Sequence, residues 1–431
     1  MLRSIAPMAG RALPLALALL LGSAAATAQQ RTLIVGASSA PTGMDPHYHS
    51  SNMNNGQLRQ VFDPLIDLDT RGRLQPRLAE SWRPIDDLTW EFKLREGVRF
   101  HDGTPFEAED IAFTFARIPT IPNSPGPFTP AVRKIARVEI VDPRTVRLVT
   151  PEPHPFLDYD LALVLMLSRK LHANTTLADF NAGRAMIGTG AYRFVGYTIG
   201  ERLELVRNDA FWGGRPDWDR VVTRVIPNGS ARVAALLSGD VDLIDFVPTQ
   251  DVPRLSADAR LAVFTTESNG TVYLFPDAAR DQAPFVADRQ GRPLARNPMK
   301  DVRVRQAMSL AINRKGIVDR LLQGIGGPAS QFAAPSLIGR AEDLPVLPFD
   351  PERGRALLAE AGYPDGFRLT LHGPNGWFAN DTDVAQAIAQ GLSRIGIETQ
   401  VEVLPPANLF TRATNREFAL FMTPFTTPYA A

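Results

Sequence analysis

WRPIDDLTWEFKLREGVRFHDGTPFEAEDIAFTFAR, residues 82–117, decides the reading of this chain. Leu88, Trp90, Phe92 and Leu94 alternate with Thr89, Glu91 and Lys93, the period-2 pattern of a half-buried strand. Arg95, Glu96 and Gly97 supply a tight turn, after which Val98 and Phe100 begin a return strand. A second turn at Asp102-Gly103 hands over to Thr104-Pro105, a helix-start pair. Ala108, Ile111, Ala112 and Phe115 then recur at helical spacing, with Glu107, Glu109 and Asp110 in the first turn, where acids suit the helix dipole. The stretch reads as a strand–hairpin–helix unit with one apolar side.

Around it lie 431 residues, too many for one ordinary core, so two or more domains are expected. A hydrophobic content of 44% and a charged content of 21% are those of a soluble globular protein. The net charge of +0 argues against a nucleic-acid binder, which carries a basic excess. At the N-terminus, Arg3 and Arg11, the apolar run 13–21 and Ala26-Thr27-Ala28 form a secretory signal peptide cut after Ala28. The apolar run is about half the length that a membrane span needs. Without cysteine there is no disulfide to staple an exported fold and no thiol to carry a lipid anchor. A free periplasmic protein is the expectation.

Along the mature chain, residues 32–36 read as a strand, 37–55 as a polar loop and 57–68 as a helix running into a strand. Asp142-Pro143-Arg144 turns a hairpin between 138 and 149, and 118–130 is a Pro-rich loop. Residues 156–167 are apolar enough to be a buried helix or strand. Ser230 is placed as the N-cap of a helix with Val233, Leu236 and Leu237 inward, stopped by Gly239. Helices follow from Asp301, from Asp350-Pro351 and around Val384 and Ile388, the last passing through Gly396 into an alternating strand at 397–403. Strand–helix–strand order of this kind means an α/β lobe.

Residues 88–115 are similar, almost position for position, to the signature segment of the family 5 extracellular solute-binding proteins, the peptide/nickel-type receptors of ABC importers. The resemblance extends through the loop Thr42-Gly43-Met44-Asp45-Pro46-His47, residues 74–82, the crossover Ile187-Gly188-Thr189-Gly190-Ala191-Tyr192-Arg193, Phe211-Trp212-Gly213-Gly214 and residues 240–244. Arg193 stands where a dinucleotide fingerprint needs glycine, so the crossover is not one. The resemblance implies an α/β, two-lobed periplasmic-binding-protein fold of class C type, with an extra α+β subdomain on the first lobe. After the signal peptide (1–28), residues 29–60 and 187–268 make lobe I, 61–186 subdomain Ib, and 269–431 lobe II. Relatives run further, so the C-terminal return to lobe I is expected to be missing.

No GxSxG, Walker loop or HExxH occurs, so no enzyme is expected, and no cofactor. His47-x-His49 offers two imidazoles, and the family has a nickel-carrying branch. Polar residues of a cleft-edge loop are the preferred reading, so no metal site is assigned. The resemblance places ligand contacts at Met44, His47 and His49 on the first lobe, and at Asn269 and Tyr273 near the crossover. On the second lobe it places them at Asn375, Gly376, Trp377 and Phe378. Trp377 is the strongest of these, since Asn375 and Gly376 imply a turn that throws its ring outward. Asn375 stands where dipeptide-type relatives carry a carboxylate-binding Arg, and no Asp or Glu follows Met422. A small polar or peptide-like solute is therefore expected in place of a strict dipeptide. The expected partners are that ligand and the inner-membrane permease of an ABC importer, with the protein a monomer. The alternative is a non-transporting periplasmic protein that scavenges a metal chelate, haem or peptide, or serves a chemoreceptor.

Overall fold

The computed structural model describes residues 31–70, 72–265, 270–333, 340–378 and 380–426; the expected signal peptide lies outside them. The chain opens with β1 (Thr32–Ala37), whose last two residues are buried. The helix expected from Gln57 lies earlier, at Asn52–Leu58, because the Ser51 hydroxyl accepts from the Asn54 N–H and caps it there. β2 (Ile66–Leu68) and β3 (Leu74–Pro76) form an antiparallel ribbon.

β4 (Ala79–Pro84), β5 (Thr89–Leu94), β6 (Arg137–Asp142) and β7 (Thr145–Val149) form an antiparallel sheet in the order β4-β5-β7-β6. Both edges of β5 are occupied, by β4 and by β7. That leaves no edge for the return strand expected at Val98 and Phe100. Those two side chains, each 2% exposed, instead fill the core, and Arg99 makes an isolated bridge to Pro105. A central strand also explains Glu91: expected to face outward, it is buried and paired with Arg147 at 2.9 Å. The helix runs Ala108–Arg117 and starts later than Thr104-Pro105, since the Asp110 carboxylate accepts the Glu107 N–H at 3.0 Å and fixes the N-cap there. Ile111 and Phe115 of this helix share the core with Phe92, Leu94 and Leu148. Residues 156–167 resolve into the short helix Leu157–Leu161 and a buried extended run.

The chain then returns beside β1. β8 (Tyr192–Thr198), β9 (Arg202–Arg207), β10 (Arg220–Val225) and β11 (Leu243–Ile244) join it in the order β11-β1-β10-β9-β8. β1 is parallel to both β10 and β11. The crossover helix Gly229–Ser238 is capped by Asn228 and not by Ser230: the Asn228 side chain takes the Ala231 N–H at 2.9 Å. Gly239, left-handed at φ 80°, ends it as expected.

A further sheet follows. β12 (Gly270–Pro276) pairs antiparallel with β16 (Leu420–Thr426), β13 (Val286–Ala287) antiparallel with β14 (Phe367–Pro374), and β14 parallel with β15 (Ile397–Leu404). β15 takes the whole of one edge of β14, while β13 and β16 share the other. The helix Asp381–Arg394 makes the β14–β15 crossover. With the helices Val302–Leu310 and Pro351–Glu360 it buries Val304, Met308, Leu358, Ile388 and Leu392 against Phe367 and Leu371.

Candidate ligand cleft

In sheets with parallel strands, loops leaving the carboxyl ends of the strands gather ligands. For the first sheet these loops start at Ser38, Ile226 and Asp245; for the last sheet they start at Asn375 and Pro405.

Two polar residues shape the first set. Asp245 accepts the backbone N–H of Ser38 at 2.7 Å and its hydroxyl at 3.2 Å, joining the ends of β11 and β1. Burial pushes the Asp245 carboxyl above the usual carboxylate range. Arg232, 4% exposed, donates to the carbonyls of Ile226 and Pro227 at 2.8 Å and of Phe246 at 2.9 Å. It thereby holds Phe246 in the left-handed region at φ 43°, a conformation that bulky residues rarely adopt. The Phe246 ring is 66% exposed. Strained backbone that presents an apolar ring to solvent points to function.

In the second set, Gly376 takes φ 88°, and the N–H groups of Gly376 and Trp377 both donate to the buried Asp381 carboxylate at 2.8 Å. The Asn375 N–H donates to the Leu404 carbonyl at 2.9 Å. This turn leaves Trp377 51% exposed, edge-on to Phe410 of the helix Pro406–Thr414 at 5.4 Å between ring centroids. The Asn380 side chain joins the two sets of loops. Its Nδ2 donates to the Leu321 carbonyl at 2.6 Å and to Thr249 Oγ1 at 3.3 Å. Phe246 precedes Thr249 by three positions and Trp377 precedes Asn380 by three. Three residues span at most about 10 Å, so the Cα atoms of Phe246 and Trp377 each lie within about that distance of the Cα atom of a residue in this bond. An exposed aromatic from each sheet near one junction is the kind of surface from which an enclosing pocket is built.

The structure brings Asn375, Gly376, Trp377 and Phe378 together in this one turn, with Phe378 half-buried against the core below. It does not bring Met44 or His47 to any surface, and this corrects the expectation for both. Met44 is fully buried among Phe62, Leu165 and Phe180. His47 is 1% exposed: its Nε2 donates to the Leu165 carbonyl at 2.8 Å, and its Nδ1 accepts from Arg117 at 3.0 Å. Arg117 in turn grips Asp45 through two bonds, of 3.0 and 2.6 Å. His49 is half-buried, its Nδ1 2.9 Å from Thr42 Oγ1. Tyr273 sits on β12 with its ring 4.2 Å from that of Phe332. Asn269 lies outside the described residues. Among those residues no group of three or more His, Asp or Glu is placed to hold a metal ion.

Phe246, Arg232, Thr249 and Asn380 escaped sequence reasoning. Phe246 could have been found: it follows the last strand of a parallel set, where ligand loops begin. The two best-defined concavities lie elsewhere, one of about 300 Å³ beside Lys170 and Arg184 and one of about 200 Å³ behind Leu321.

Burial pushes the His47 imidazole down from 6.5 to about 4. The unfolded chain therefore binds a proton that the folded chain refuses between those values. This stabilising contribution is complete above pH 6.5 and is lost as pH falls toward 4. Asp110, raised by burial to about 6, acts with the opposite sign. The His47 effect therefore has to be isolated by difference. The stability gap between the wild-type protein and His47→Gln is expected to shrink by about 2 kcal/mol from pH 7 to pH 5 in urea unfolding. A constant gap would contradict a neutral, buried His47.

Two α/β lobes with ligand-type loops at their strand ends define a class of fold, that of the two-lobed binding proteins. The sequence profile of the bacterial extracellular solute-binding proteins, family 5 Middle, matches residues 73–431, and the chain belongs to that family. Among relatives, heme-binding protein A of Haemophilus influenzae is 27% identical over 428 residues, covering 91% of this chain and 74% of that one. The dipeptide-binding protein of Escherichia coli is 26% identical over 440 residues, covering 95% and 78%. Of solved structures, NikZ from Campylobacter jejuni in complex with Ni(L-His) superposes with a TM-score of 0.75 at 23% identity, covering 93% of this chain and 78% of that one. AppA from Bacillus subtilis in complex with a nonapeptide gives 0.74 at 23%, covering 93% and 80%. The two-lobed fold expected from the sequence is thus the fold found.

Proposed function

We propose that the protein captures a small polar or peptide-like solute in the periplasm and delivers it, unaltered, to the permease of an ABC importer. Phe246 and Trp377, exposed on loops of different sheets and each three positions from a residue of the Asn380–Thr249 bond, are the observation on which this rests. Family membership supports a receptor in place of an enzyme. Lobe I comprises 29–60 and 187–268, subdomain Ib 61–186, and lobe II 269–431. The subdomain is scaffold, and the lobes close on the solute because ligand binds the closed state better. The relatives carry names as different as haem and dipeptide binding, so the loops and not the fold select the ligand.

Native mass spectrometry of protein taken from its own periplasm identifies the solute. With it in hand, Trp377→Ala and Phe246→Ala are each expected to weaken binding by about 1 kcal/mol in calorimetry, the scale of a stacked aromatic contact. Unchanged affinity in both variants, or chemical conversion of the solute, would overturn the reading.

A further inference from the structure

The concavity behind Leu321 lies on the second lobe, between the helices Arg314–Arg320 and Asp381–Arg394, is open to solvent and measures about 200 Å³. Ile317, Leu321, Phe349 and Ala387 give its lining an apolar part, and Asn313 and Gln390 a neutral polar one. Two guanidinium-bearing residues, Arg320 and Arg394, line it as well, and both are exposed. Neither guanidinium has an ion-pair or hydrogen-bond partner among the described residues. Nearby acids are committed elsewhere: Asp319 pairs with Lys315, and Asp350 caps the helix Pro351–Glu360 through the Arg353 N–H. Arg314, at the start of the first of these helices, bonds the carbonyl and hydroxyl of Ser309 and neutralises no acid.

We propose that this concavity is an accessory binding site for a small carboxylate with an apolar body, separate from the solute cleft. Arginine pairs with carboxylate through parallel charge-assisted bonds, and two free guanidiniums beside one concavity supply the counter-charge. The volume sets the size of the body. An apolar cavity of about 150 Å³ holds benzene, so this one takes a single ring or a branched chain of similar bulk with its acid group. The Leu321 carbonyl accepts from Asn380, so the site abuts the bond that joins the two sets of cleft loops.

Benzoate and its neutral analogue benzamide are the probes, titrated into the full chain and followed by ligand-observed NMR. Benzoate is expected to saturate one site and benzamide to bind at least about tenfold more weakly. The double variant Arg320→Gln/Arg394→Gln changes exposed side chains, so it keeps its fold; it is expected to lose benzoate binding while its thermal unfolding is unchanged. Trp377→Ala is expected to retain benzoate binding, which separates this site from the cleft. Equal binding of the two probes, no saturable binding, or binding that survives in the double variant and disappears in Trp377→Ala would each overturn the proposal.

Discussion

Gly188→Ala is expected to cost about 3 kcal/mol or more of folding stability. A Cβ at this position would stand 1.9 Å from the Val61 carbonyl oxygen, a backbone atom with nowhere to go. That oxygen already accepts the Gly190 N–H at 2.9 Å, so moving it breaks a buried bond. The surroundings are equally committed. The His101 N–H donates to the Gly188 carbonyl at 2.8 Å, His101 Nε2 meets the Gly190 carbonyl at 3.0 Å, and the Thr189 hydroxyl donates to the buried Asp63 carboxylate at 2.8 Å. Overpacking by one methyl ordinarily costs about 1–3 kcal/mol by displacing side chains. Against backbone the upper end, about 3 kcal/mol or more, applies. Gly56→Ala is the control: it lies in the helix Asn52–Leu58 with nothing within 4 Å of the added carbon, and a stabilisation of up to about 1 kcal/mol is expected. Urea unfolding of both variants decides the matter. Equal stability would mean that the crossover does not pack as described.

Arg117→Ala is the second large effect, expected at about 3–5 kcal/mol. Its guanidinium is the counter-ion of Asp45, which is 1% exposed, and the donor to His47 Nδ1. It also lies over the Phe180 ring at 5.2 Å. Removing it strands a carboxylate in the core, where desolvation is no longer offset. The cost belongs to the orphaned charge more than to the lost contact, and a cycle separates the two. Asp45→Asn/Arg117→Ala should unfold at higher urea than Arg117→Ala alone, since the double variant leaves no bare charge behind. If the double variant is the weaker by the sum of the single effects, Asp45 and Arg117 act independently.

These two sites also show how far sequence reading reached. The glycines of residues 187–193 were legible as a close crossover, because glycine in an otherwise bulky run signals backbone against backbone. The fold class was legible too, since strand and helix periods survive in local sequence and the signature segment is long. Met44 and His47 were misplaced for a physical reason: residues 37–55 read as polar, yet this loop packs Asp45 and His47 inward onto Arg117 of the helix Ala108–Arg117 as a satisfied network. Polar groups that find partners bury as readily as apolar ones, and the partners come from elements distant in sequence. The strand expected at Val98 failed likewise, because β7, which takes the edge of β5, lies some fifty residues further on. Trp377 was legible from its turn. For Phe246 only the position after β11 was legible, since its exposure depends on Arg232 reaching a carbonyl fourteen residues further on.

The tie between the two sets of cleft loops is an amide meeting a hydroxyl and a carbonyl, with no formal charge on any of the three. Mobile ions weaken attraction between charged groups and leave such neutral contacts almost untouched. Dilute and concentrated salt differ widely in how far they screen a charge. A junction built from uncharged groups keeps the same grip in both.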